Sequence, residues 1–69
     1  MKILRYCFGG YRLEVRYSAG DFAQVSMYDF SNLRFPLLWS ESMTKQQARG
    51  AIELFKSCGY FDLRGGVTA

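Results

Sequence analysis

Gly9-Gly10 restricts the fold more than any other feature, because it stands between Lys2 to Phe8 and Tyr11 to Tyr17, two runs rich in aromatic and branched residues. Such runs favour extended backbone, and a two-residue glycine loop suits a primed hairpin turn. The turn fixes the register: Phe8 faces Tyr11, Tyr6 faces Leu13 and Leu4 faces Val15, all on one side. The other side carries Cys7 with Arg12, Arg5 with Glu14, and Ile3 with Arg16. Arg5 opposite Glu14 is a favourable cross-strand pair, so charge and apolar pattern agree.

Ser18-Ala19-Gly20-Asp21 reads as the next turn, with Gly20 in the left-handed position of a three-residue hairpin. Pairing Tyr17 with Asp21 sets Val15 against Ala23, Leu13 against Val25 and Tyr11 against Met27. Pairing Tyr17 with Phe22 is rejected, because Gln24 and Ser26 would then enter the core. Phe30-Ser31-Asn32 suggests a turn, and Leu33 to Trp39 a fourth strand. Pro36 cannot donate to a ladder, so that strand is expected at an edge or partly irregular.

Thr44-Lys45-Gln46-Gln47 has the spacing of a capping box and predicts a helix from about Lys45 to Cys58. Ala48, Ala51, Ile52, Phe55 and Cys58 recur on one side, with Leu54 at the margin; Lys45, Gln46, Arg49, Glu53 and Lys56 line the other. Gly59 suits the position just past the helix end, with Tyr60 and Phe61 folding back onto the core. The expected fold is α+β: a single two-layer domain over residues 1–63, a three- to four-stranded antiparallel sheet with one C-terminal amphipathic helix on one face. Residues 64–69 are expected to form a flexible tail.

Sixty-nine residues suffice for one core, and 49% apolar with 22% charged is a globular balance. The 17% aromatic content is first a folding device in so small a domain. A net charge of +3 gives a mildly positive field, which nucleic acid, an acidic protein or an anionic membrane would each answer. Met-Lys-Ile-Leu briefly imitates an export signal, but Arg5 interrupts it. No stretch approaches the roughly 20 apolar residues that span a bilayer. A cytoplasmic protein with no membrane association is therefore expected.

The chemistry is narrowed by what the chain lacks. It has no His, the commonest general base, nucleophile partner and nitrogen metal ligand. Cys7 and Cys58 form no CxxC, lie on opposite sides of the predicted sheet, and read as ordinary buried or half-buried thiols. Glu14, Asp21, Asp29, Glu41, Glu53 and Asp62 are scattered, and neither Gly-Gly pair belongs to a Walker loop or dinucleotide fingerprint. No enzyme activity, cofactor or metal is expected.

What remains is the sheet face opposite the helix, where Arg5, Arg12 and Arg16 alternate with Ile3, Phe22, Gln24, Ser26 and Tyr28. Arg with aromatic side chains suits protein interfaces, and equally suits bases and phosphates. The same face can also be solvated, closed by self-association, or closed by the segment from Asn32 to Trp39 wrapping round. No RNA-recognition strand motif is present, and a single helix excludes helix-turn-helix. The size, the sheet-plus-helix build and the Arg-bearing aromatic face resemble small phage or prophage accessory proteins and are similar in kind to anti-CRISPR inhibitors. That resemblance covers architecture alone and implies a chain that blocks a large nucleoprotein by occupying its surface; no site residue is carried over from it. The residues thus lead to a stoichiometric binding protein that occludes or recruits a larger protein or nucleoprotein, with Arg5, Arg12, Arg16, Phe22, Tyr28 and Trp39 as contacts. A small basic nucleic-acid-binding accessory protein is the alternative, and a homodimer a third reading.

Overall fold

The computed structural model describes residues 2–60. Four strands, β1 (Lys2–Phe8), β2 (Tyr11–Tyr17), β3 (Phe22–Asp29) and β4 (Leu37–Thr44), form an antiparallel sheet in the order β1-β2-β3-β4, and α1 (Lys45–Cys58) follows. This is the two-layer α+β arrangement expected from the sequence.

The first hairpin has the register that Gly9-Gly10 dictates, from Phe8 against Tyr11 to Ile3 against Arg16. Gly9 has φ 62 and Gly10 does not take a positive φ, the pattern of a type II′ turn. In the second hairpin Tyr17 pairs with Ala23, Val15 with Val25 and Leu13 with Met27, two residues beyond the expected register. Side-chain parity survives a shift of two, so every face assignment holds. The physical reason lies at Asp21, which the shorter loop would have turned toward the core beside Tyr17. The longer loop leaves Asp21 exposed and lets its carbonyl accept from Lys45 N at 2.9 Å, tying the loop to the helix.

The fourth strand also differs from expectation: it begins after Pro36, not at Leu33, and continues to Thr44. Trp39, Glu41 and Met43 sit opposite Met27, Val25 and Ala23, while Ser40, Ser42 and Thr44 sit opposite Ser26, Gln24 and Phe22. This is strict alternation. Each serine matches a polar or exposed neighbour on β3, so the Ser-Glu-Ser run is half of a two-sided strand and no loop.

The helix has the predicted bounds. Thr44 Oγ1 accepts from Gln47 N at 3.1 Å, and Gln47 Oε1 accepts from Thr44 N at 3.0 Å, completing the capping box. Ala48, Ala51, Ile52 and Phe55 pack over Leu13, Val15, Val25, Met27, Trp39 and Met43, and the helix touches all four strands. Gly59, at φ 78, ends it where a Cβ would come within 2.9 Å of the Phe8 ring, so both backbone sign and space require glycine.

Cys7 and Cys58 are free and exposed, correcting their reading as buried thiols. Cys7 lies on the outermost strand, and no further strand lies beyond it among the described residues. Cys58, the last helical residue, donates from Sγ to the Leu54 carbonyl. Tyr60 does fold back, stacking on Tyr11 with ring centroids 5.3 Å apart. The expectations for Phe61 and for the tail 64–69 lie outside the described residues.

Candidate functional site: the sheet face away from the helix

Parity puts Arg5, Arg12, Arg16, Phe22 and Tyr28 on the sheet face away from the helix, as the sequence implies. Trp39 is different. It pairs with Met27 on the helix side and is only 2% exposed, so it belongs to the core and is removed from the contact set. Its position in β4 decides this: Trp39 shares the parity of Met43, which the helix covers.

The open face has two unlike parts. Across its middle runs a polar row in which Glu14 Oε2 accepts from Arg5 Nε at 2.8 Å and Oε1 accepts from Arg16 Nη2 at 3.4 Å. Further along, Gln24 Nε2 donates to Ser40 Oγ at 2.6 Å, and the Ser26 and Ser40 hydroxyls bond at 2.9 Å. A row so hydrated and self-satisfied needs no cover, which argues against a face closed as an apolar core. One carboxylate serves two guanidiniums, so the row keeps a positive surplus. The Glu14 side chain is 12% exposed, and the arginines reach outward past it.

The second part is aromatic and lies where β3 leaves the sheet. Tyr28 and Phe30 stack with centroids 5.5 Å apart and planes at 15°, and the Arg12 guanidinium carbon is 4.6 Å from the Phe30 centroid. Arg12 Nε is buried there without a hydrogen-bond partner, and among the described residues no carboxylate forms an ion pair with Arg12. Its charge thus lies over a ring with no counter-ion among the described residues, an arrangement able to receive a carboxylate or phosphate.

Sequence reasoning passed over the loop beside this cluster. Leu33 is 88% and Phe35 68% exposed, yet the loop carrying them is closed by hydrogen bonds. Asp29 N donates to the Pro36 carbonyl at 2.7 Å and closes its base, while Phe30 N donates to the Gly10 carbonyl at 2.9 Å. Asp29 Oδ1 accepts from Ser31 N and Oγ; Asn32 Oδ1 accepts from Arg34 N and Phe35 N. These Asx turns were readable from Asp29 and Asn32 at two-residue spacing before Ser31 and Arg34. That they present Leu33 and Phe35 outward had no periodic signal.

Among the described residues, no group of three or more acidic or Cys side chains is placed to hold a metal, and no helix is long and apolar enough to cross a membrane. The sequence matches no protein-family model, no curated protein and no solved structure.

Proposed function

We propose that this chain is a non-enzymatic, stoichiometric binding protein that occludes or recruits a larger protein or nucleoprotein partner. The contact surface is the open sheet face with Arg5, Arg12, Arg16, Phe22 and Tyr28, extended by Phe30, Leu33 and Phe35. One observation carries the reading: a hydrogen-bonded loop leaves two large apolar side chains exposed near an arginine that lies over the Phe30 ring and has no ion-pair partner among the described residues. Ordered apolar and Arg anchors of this kind dominate protein interfaces, because their ordering cost is met before the partner arrives. The role this surface fits is that of an inhibitor covering a working surface of a host defence complex, as phage accessory proteins of the anti-CRISPR kind do.

The Tyr28–Phe30 stack beneath Arg12 favours one second reading, a small basic accessory protein that stacks bases of single-stranded nucleic acid. Salt and nuclease separate the two. Affinity capture from the organism that encodes the chain, with and without nuclease, is expected to yield a partner that survives nuclease and is lost with Arg12→Ala plus Arg16→Ala. Retention of a single-stranded oligonucleotide that falls steeply as salt rises would favour the second reading. A captured partner indifferent to both substitutions would remove the open face from the function.

A further inference from the structure

The two edges of the sheet are not equally protected. β4 carries a register irregularity where it meets Tyr28, is preceded by Pro36, and places Glu41 among its core-side residues. An irregular strand, a proline and an inward acid are devices that stop an edge from pairing further. β1 has none of them: its seven residues pair without interruption with β2, and it contains neither proline nor glycine.

Its unpaired backbone groups can be assigned. In a two-residue hairpin the closing pair, Phe8 and Tyr11, is hydrogen-bonded, so Phe8, Tyr6, Leu4 and Lys2 turn their N–H and C=O toward β2. Ile3, Arg5 and Cys7 then turn theirs outward, and none of these groups has a backbone partner outside the ladder among the described residues. On the helix side the same strand offers Leu4 and Tyr6, both half-buried, and Phe8, 47% exposed, a row that the helix only partly covers.

We infer that β1 is a strand-pairing site for a second copy of this chain, joining two sheets antiparallel about a two-fold axis at Tyr6. In that register Arg5 and Cys7 exchange hydrogen bonds with Cys7 and Arg5 of the partner subunit. Leu4 meets Phe8 of the partner subunit, and the two Tyr6 rings meet at the axis, so the row left half-covered in one copy is continued by the other. On the helix side Lys56 Nζ lies 5.3 Å from the Tyr6 ring centroid, so two ammonium groups approach near the axis and repel; on the open face Arg5 leans back over β2 to Glu14 and no two arginines are directly opposed. A register centred on Arg5 would oppose them. A strand pair this short lies at the low end of interface sizes, so association is weak, on the order of 10–100 µM. Each chain carries +3, so added salt screens the repulsion and tightens the dimer, whereas an acidic foreign strand in the same place would be released by it. The joined sheet would set two copies of the Arg5–Arg12–Arg16 face side by side.

Light scattering on the purified full chain tests this directly. The expected mass rises toward twice 7.9 kDa with concentration, and more readily at about 0.5 M salt than at low salt. Arg5→Pro removes an outward N–H and no rung of the β1–β2 ladder, so a folded monomer is expected. Arg5→Cys, in a Cys58→Ser background because Cys58 is also exposed, supplies an independent reading that does not depend on tolerating proline: under mild oxidation it should form a reducible covalent dimer with the native Cys7 of the partner subunit, and lose it when Cys7→Ser is added. A mass of one chain at about 1 mM in either salt would overturn the inference. So would a dimer that survives Arg5→Pro, or cross-linking that persists with Cys7→Ser.

Discussion

The two ends of the sheet are closed by loops that treat water in opposite ways, one of four residues (18–21) between β2 and β3 and one of seven (30–36) between β3 and β4. Where β2 turns into β3, the link Ser18-Ala19-Gly20-Asp21 is small and polar, and its one fixed point is the bond from Lys45 N at the capped start of the helix. Phe22 just beyond it and Ile3 on β1 are the large apolar side chains exposed at this end among the described residues. At the other end Phe8, Phe30, Leu33, Phe35 and Tyr60 are all exposed, gathered around the Gly9-Gly10 turn and the helix terminus. The loop there nonetheless carries more hydrogen bonds of its own, from the Asp29 and Asn32 side chains and across its base. Ordering a loop costs entropy that is normally offset by burying apolar surface. Here a loop fixed by hydrogen bonds keeps its apolar side chains exposed, so that cost is not offset by burial.

The comparison can be broken in several places. Phe55, 1% exposed, meets Phe8 edge-on at 6.2 Å and anchors the apolar end to the core. Phe55→Ala is expected to cost about 3–5 kcal/mol in chemical denaturation; a loss below about 1 kcal/mol would mean that this end is hardly attached. Leu33→Ser with Phe35→Ser should leave stability within about 0.5 kcal/mol. The same pair should weaken partner binding by about 2 kcal/mol or more, roughly 30-fold, in titration calorimetry. Unchanged affinity would make the two loops equivalent after all. At the polar end Thr44→Ala removes the cap and should cost about 1 kcal/mol without touching partner affinity. Arg5→Ala, which leaves Glu14 its second partner Arg16, should cost only about 0.2–1 kcal/mol, and less still in high salt.

The first hairpin and the helix were legible because their signals are local: Gly9-Gly10 sets one register, and Thr44 with Gln47 sets one helix start. The β2–β3 register was legible only to its parity. A shift of two keeps every side chain on its face, and what chooses between the alternatives, Asp21 meeting Lys45, joins residues far apart in the chain. Ser40 and Ser42 hid the end of β4, since their partners Ser26 and Gln24 lie on another strand. The same limit governed the candidate site. Arg5, Arg12, Arg16, Phe22 and Tyr28 follow from alternation, Trp39 was misplaced with the start of its strand, and Phe30, Leu33 and Phe35 belong to a loop without a period.

Thr44 ends β4 and caps α1, so strand and helix meet with no slack between them. The azimuth of the helix is therefore geared to the pleat of the strand. One extra residue on the strand side would reverse the pleat, and one within the first helical turn would rotate everything after it by about 100°. Either change would swing Ala48, Ile52 and Phe55 off Val25 and Met27, so this junction should be far less forgiving of length than either loop.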